Sequence, residues 1–293
     1  MRTQTISPGG SANGPSPARP AGLPVREGIY SVLALRPYRE LLHGISTRFA
    51  PDGTDWNLSA RRGTPANPPD PQVALANRAR LAERLGISLD RMIGCQQVHG
   101  NEVALVADGD AGRGMLPDQP GIQDCDALIT NTRALYLMAL SADCPPVFFY
   151  DPVRRAIGLA HSGWKGTVSR ISAKVVEAMG RHFGSHPEDI VAVVGPGIGP
   201  CCYKVGPQVV EAVEAAYSRP WSVRLPLLEL YEGEVYFNLW EGIRRALVEA
   251  GVPARNVAID GLCTMHNTSV FYSHRGEAGK CGLFGAVLGL RDE

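Results

Sequence analysis

The sequence predicts a mixed α/β fold with helices outside a curved or doubled sheet, and three observations carry that prediction. Short apolar runs recur along residues 91–140, 146–150, 156–160, 190–194 and 283–290, with turn residues between them, which is the pattern of a substantial sheet. Longer stretches at 73–85, 168–179, 207–217 and 239–250 repeat their apolar positions at helical spacing. From Tyr30 onward no stretch of the chain reads as an interdomain linker.

Residues 1–26 hold five prolines with several Gly and Ser and no acidic residue, and they read as a disordered tail. The domain is expected over 27–293, with 61–71 as a Pro-rich loop. The first helix is expected at 73–85, ended by Gly86 as its C-cap. Strands follow at 91–98, 102–107, 127–130 and 134–140. Two further runs, 146–150 and 156–160, are separated by the turn signal Asp-Pro-Val-Arg-Arg. Val168, Ile171, Val175 and Met179 form one stripe, so a second helix is expected to start near Thr167 and stop before Gly184. Later elements are a strand at 190–194, a helix at 207–217, a short strand at 235–239 and a helix at 239–250. Strands at 257–260, 270–273 and 283–290 complete the list, and no internal repeat is present.

Composition excludes several functions. Lys and Arg total 29 and Asp and Glu also total 29, so no basic excess steers the chain toward nucleic acid. No apolar run approaches the roughly 18 residues of a membrane helix, and the N-terminus shows no signal-peptide core. A cytoplasmic protein is therefore expected. Seven cysteines without an export signal point to reduced thiols rather than a disulfide framework.

The chemistry gathers around residues 140–167. If the runs at 146–150 and 156–160 pair as a hairpin, Cys144 before the first and His161 after the second fall at the same end. His99, in CQQVHGNEV, ends another apolar run. One thiolate and two imidazoles make a three-ligand set that suits Zn²⁺ with a fourth position open. Cys144 beside His161 also suits a thiol hydrolase, with Asp143 or Asp126 orienting the imidazole. The residues alone leave both uses of the thiolate open. The segment Ser162-Gly-Trp-Lys-Gly-Thr167 enters a helix, where an anion could bind or an ordinary capped turn could sit. Gly195-Pro-Gly-Ile-Gly-Pro200 precedes Cys201 and Cys202, whose thiols read as packing groups. Arg48, whose fork suits phosphate or carboxylate, is the most suggestive of the remaining polar residues. His43, His182 and His186 receive no role.

HGISTR, Asn77-Arg78, QVHG, DCDALIT, SADCPPVFFYD, GLAHSGWKGT, GPGIGPCCY and FYSHR, in that order, resemble the polyphenol oxidase or laccase-domain family over residues 40–290. The resemblance implies a single-domain layered α/β sandwich with mixed sheets and outer helices, a metal held by His99, Cys144 and His161, and Arg48 and Asn57 contacting substrate or phosphate. It further implies phosphorolysis of adenosine, inosine, guanosine and S-methyl-5′-thioadenosine, together with adenosine deamination, so the expected partners are a purine nucleoside and phosphate. Three departures fall in loops expected near the site and bear on substrate preference: Lys204 in place of glutamate, Ala278-Gly279-Lys280-Cys281 in place of the usual tGR, and Ala50-Pro51-Asp52-Gly53 after STR.

The family's older name raises copper oxidation as an alternative. The chain has seven histidines and no His-x-His pair, so a multicopper set of the laccase type is disfavoured and zinc is the expected metal. Zinc-dependent purine nucleoside phosphorolysis with parallel adenosine deamination is the expected function. A cysteine hydrolase built on Cys144 and His161 is the competing chemistry.

Overall fold

The computed structural model describes residues 23–217 and 226–292. The expected tail falls at 1–22 outside the described residues, while Val25–Arg26, assigned to the tail from sequence, form the first strand.

Two six-stranded sheets form the centre. Sheet one runs β1 (Val25–Arg26), β2 (Ile29–Tyr30), β3 (Leu41–Ser46), β15 (Phe284–Leu290), β7 (Tyr136–Ser141) and β4 (Met92–Gly94). Sheet two runs β14 (Val257–Ile259), β10 (Val191–Val194), β8 (Pro146–Asp151), β9 (Ala156–His161), β6 (Ala127–Thr130) and β5 (Val103–Leu105). A small third sheet orders β11 (Lys204–Val205), β13 (Glu234–Phe237) and β12 (Leu228–Tyr231). Helix α1 (Pro71–Leu85) covers sheet one. On the far side of sheet two lie α2 (Trp164–Val168), α3 (Ile171–Phe183), α4 (Pro207–Ala216) and α5 (Leu239–Glu249).

Side-chain alternation explains the layering. Along β8, Phe148 and Tyr150 enter the core between the sheets while Val147 and Phe149 pack against α3 and α5. Along β7, Leu137 and Ala139 face that same inner core, and Tyr136 and Met138 face α1, Trp56 and Leu58. Strands covered on both faces must be apolar on both, which is why these runs show no polar alternation. The expected layered α/β sandwich is thus found, with mixed and antiparallel sheets inside and helices outside.

Local chemistry sets the helix boundaries. Asp70 caps α1 by accepting from the Gln72 and Val73 amides, Pro71 occupies the first turn, and Gly86 stops it at φ 70°. The second expected helix differs. It starts earlier, at Trp164, and breaks at Arg170, whose φ of 65° separates α2 from α3. The stripe spans both pieces, so spacing alone did not show the break. Residues 270–273 leave a turn as irregular backbone without strand pairing, correcting the strand expected there. β1, β2, β3, β11 and β12 were not foreseen: four are two to four residues long, and β3 lies between the two-residue β2 and β15 at the other end of the chain.

Three connections cross between the sheets at one end: β4 to β5, β7 to β8, and β14 to β15. The first two carry His99 and Cys144. No helix among the described residues is long and apolar enough to cross a membrane.

Asp260, just after β14, is a half-buried acid with one enclosed oxygen. Burial lifts its carboxyl to about 6, the Tyr30 hydroxyl donates to it and offsets only part of that rise, and its second oxygen lacks a partner. The unfolded carboxyl ionises near 3.8, so between that value and 6 the folded chain binds more protons and loses stability as pH rises. Asp260→Asn is expected to raise the melting temperature by about 2–5 °C at pH 8, with the difference vanishing near pH 4, in calorimetric scans. A pH-independent effect would assign the change to packing.

Candidate metal centre

The β8–β9 hairpin sets two of the three donors. Its register pairs Pro146 with His161, so Cys144, two residues ahead of β8, and His161, closing β9, meet at one end as expected. His99 comes from the crossing between β4 and β5. That loop is clamped by Gln97, whose side chain donates to the Leu140 carbonyl and accepts from the Leu140 amide, both at 2.9 Å. His99 itself sits in the left-handed region at φ 59°. One donor atom each from His99, Cys144 and His161 lies within 4.8 Å of the others, and the two imidazoles meet edge to face at 4.8 Å between centroids.

A single carboxylate holds this arrangement. Asp126, immediately before β6 and 1% exposed, accepts from the amides of Val98 at 3.1 Å, His99 at 3.0 Å and Gly100 at 2.7 Å. It also pairs with His161 Nδ1 at 2.9 Å. With Nδ1 engaged, Nε2 is the nitrogen left for a metal, the usual carboxylate–histidine–metal relation. Burial would raise the Asp126 carboxyl, but His161 and the loop amides outweigh it and hold it below its ordinary value.

Charge at the centre favours an anionic sulfur. Burial alone would raise the Cys144 thiol; the His161 charge and hydrogen bonds from both imidazoles bring it down to about 6. Burial likewise works against His161 protonation, and the Cys144 and Asp126 charges overcome it, taking the imidazole up to about 10. A thiolate, two imidazoles and the Asp126 carboxylate that orients one of them fit a zinc-class ion. Gly163 is part of the fit, because a Cβ there would lie 2.8 Å from Cys144 Sγ and 3.4 Å from the His99 ring.

The three donors line a cavity of about 580 Å³. Trp164 and Tyr203 supply aromatic surface, and Arg61, Arg62, His274 and Arg275 supply cationic or polar groups. Arg62 Nη1 lies 2.9 Å from His274 Nδ1. Burial and the Arg62 charge keep that imidazole below its ordinary pKa, so it accepts this hydrogen bond as a neutral ring. Arg275 stands over the Tyr203 ring and donates to the Lys204 carbonyl at 2.7 Å.

Two expected substrate residues are not brought to this cavity. Arg48 donates to the Thr268 carbonyl at 2.7 Å, pairs with Glu277 at 3.0 Å and lies between the rings of Phe49 and Tyr272. Asn57 is buried, donating to the Ser59 and Arg62 carbonyls and accepting from the Ser59 and Leu283 amides. Both side chains hold loops together, Asn57 through its whole amide and Arg48 through its two terminal nitrogens, with its Nε left without a partner. Asp143 does not orient His161 either: its carboxylate gathers Thr264, Ser273 and the Arg275 amide. The sequence reading missed Arg62, Tyr203 and Gly163. The second aspartate of DCDALIT, Asp126, was the available signal for the oriented histidine.

Residues 54–291 match the family model described as multi-copper polyphenol oxidoreductase laccase. The chain is 33% identical over 254 residues to purine nucleoside phosphorylase YlmD of Bacillus subtilis, covering 87% of this chain and 90% of that one. It is 32% identical over 200 residues to adenosine deaminase RL5 from an unknown prokaryotic organism, covering 68% and 74%. Among solved structures, hypothetical protein YfiH of Bacillus licheniformis superposes with a TM-score of 0.81 at 32% identity, covering 92% of this chain and 98% of that one.

Removing the charge that orients His161 tests the centre. Asp126→Asn is expected to weaken metal binding about 10- to 100-fold in competition with a chromophoric chelator. Unchanged affinity would take Asp126 out of the metal's support.

Proposed function

The chain belongs to the multi-copper polyphenol oxidoreductase laccase family, and from that premise we propose that it is a zinc-dependent purine nucleoside phosphorylase with adenosine deaminase activity. The observation that carries the reading is the trio His99, Cys144 and His161 lining a cavity whose about 580 Å³ suits a nucleoside. Relatives named for nucleoside phosphorolysis and for adenosine deamination support the substrate class.

His99, Cys144 and His161 would hold the ion, which when bound would supply Lewis-acid chemistry to the cavity they line. The donor chemistry favours zinc over a multicopper set. Among the described residues only two groups bring three or more His, Cys, Asp or Glu donors together, and neither holds more than two histidines.

The remaining work falls to the chain's own side chains. Tyr203 and Trp164 offer ring faces to a purine. Arg62 and Arg275, rather than Arg48, carry the positive charge that a phosphate dianion needs. In phosphorolysis a phosphate oxygen bonds to the ribose C1′ as the glycosidic bond breaks. The base leaves with that bond's electron pair and takes up a proton, giving ribose 1-phosphate. Deamination exchanges the purine C6 amine for a water oxygen, releasing ammonia. Asp126 keeps His161 oriented in both.

One observation favours a second reading. Cys144, His161 and Asp126 stand in hydrogen-bonded sequence with the thiol lowered to about 6, as a nucleophile would require. His99 separates the two, because a thiol hydrolase has no use for it.

Purified protein is expected to contain zinc, and with adenosine it should yield ribose 1-phosphate and adenine only when phosphate is present, with inosine forming in either case. Arg62→Ala should raise the KM for phosphate about 10-fold or more, the loss of one charge-assisted hydrogen bond. Activity without zinc, indifferent to His99→Ala but abolished by Cys144→Ser and by alkylation, would instead establish the hydrolase.

A further inference from the structure

A second set of soft donors stands apart from the first. Cys201 and Cys202 lie in the turn ahead of β11, and Cys263 and His266 lie in the crossing from β14 to β15. One donor atom from each falls within 4.8 Å of all the others. Cys201 Sγ is 3.6 Å from His266 Nδ1, and Cys202 Sγ is 3.2 Å from His266 Nε2.

These side chains are poorly explained as packing. Cys201 and His266 are exposed, Cys202 is half-buried, and only Cys263 is buried. All seven cysteines of the chain are free thiols, so no disulfide accounts for the gathering. A tetrahedral ion with Zn–S bonds of about 2.3 Å and Zn–N bonds of about 2.0 Å holds its donors roughly 3.5–3.8 Å apart, and the four donor atoms, with His266 offering a single nitrogen, already lie within 4.8 Å of one another. Adjacent backbone is arranged to support the sulfurs. The Gly199 amide donates to Cys263 Sγ at 3.3 Å, and a Cβ at Gly199 would come within 3.1 Å of Cys201 Sγ and 2.8 Å of the Trp240 ring.

We propose that Cys201, Cys202, Cys263 and His266 form a structural site for a zinc-class ion, closed by four protein ligands and distinct from the His99, Cys144 and His161 centre. Three thiolates and one imidazole select a soft or borderline ion and leave no position open to substrate. Ligand binding would release the thiol protons to solvent, and the two exposed donors give the ion its way in.

The location says what such an ion would do. The two loops already run side by side, with Gly197 donating to Leu262 and Thr264 donating to Gly197, both at 3.1 Å. Each also reaches the cavity: one carries Ile198 and Tyr203, the other His274 and Arg275. Both are tied to Asp143, next to Cys144, through the Ile198 amide at 2.7 Å and the Thr264 hydroxyl at 2.6 Å. An ion joining residues 64 positions apart closes a long loop in the unfolded chain and fixes this cavity wall in the folded one.

Untagged full-length protein, stripped of metal and titrated with Co²⁺, tests the site by metal count and spectrum without reference to activity. Wild type is expected to bind about two equivalents. His99→Ala/His161→Ala should keep one, with intense sulfur-to-cobalt charge transfer from three thiolates. Cys201→Ser and His266→Ala, both at exposed positions, should each lower the wild-type count from two toward one and remove that band. The proposal is overturned if wild type binds at most one equivalent and His99→Ala/His161→Ala binds none. It is also overturned if the count of two survives both Cys201→Ser and His266→Ala. The retained equivalent in His99→Ala/His161→Ala does not depend on the nucleoside reading, so the two can fail separately.

Discussion

The Asp126 carboxylate is the interaction on which the candidate centre depends. A buried anion is costly unless its oxygens are fully occupied, and here three consecutive amides and one imidazole occupy them. Those partners come from the 98–100 loop and the end of β9, while Asp126 itself leads into β6. Its own carbonyl accepts the His161 amide at 2.8 Å, so the same residue fixes both the backbone and the ring of one donor. His99 is held in a left-handed conformation that few side chains adopt freely, and the amide bonds to Asp126 offset that strain. Without the carboxylate the loop would lose its anchor, and the two imidazoles would lose their common reference.

The double sandwich explains why the donors converge where they do. A chain that must pass from one sheet to the other has to leave its hydrogen-bonded ladder at the seam, and irregular backbone there can present polar side chains to a cavity. β4 to β5 delivers His99, β7 to β8 delivers Cys144, and β14 to β15 delivers His274 and Arg275. Apolar packing on both faces of β7, β8 and β15 holds those exits in place. The rigid layers thus supply position, and the crossings supply chemistry.

Residues 146–161 were legible because each run is apolar throughout and the turn between them is short, which leaves one register that places Cys144 and His161 together. Helix α1 was legible because its boundaries are written in Asp70, Pro71 and Gly86. The fate of Arg48 was not, since a guanidinium suits any carboxylate and its partner Glu277 lies 229 positions away. The same distance problem hid Cys201 and Cys202 from His266. Val270, Phe271 and Tyr272 fill the core from irregular backbone, and composition alone does not separate that from a strand.

Two of the three departures from the family pattern place charged side chains in exposed ion pairs. Lys204 pairs its ammonium with Glu234 at 2.7 Å on the small sheet, and only its carbonyl meets the cavity's Arg275. A side chain there can change sign without altering what the cavity sees. Asp52, in the segment that replaces the usual glycines, pairs with Arg80 of α1 at 2.7 Å in an exposed ion pair. At Ala278 and Gly279 the backbone is left-handed in both residues, and Gly279 lies against His274, so this turn reaches the site by positioning that ring. The 278–281 turn thus has a direct physical route to substrate preference, which runs through His274 and its hydrogen-bonding partner Arg62.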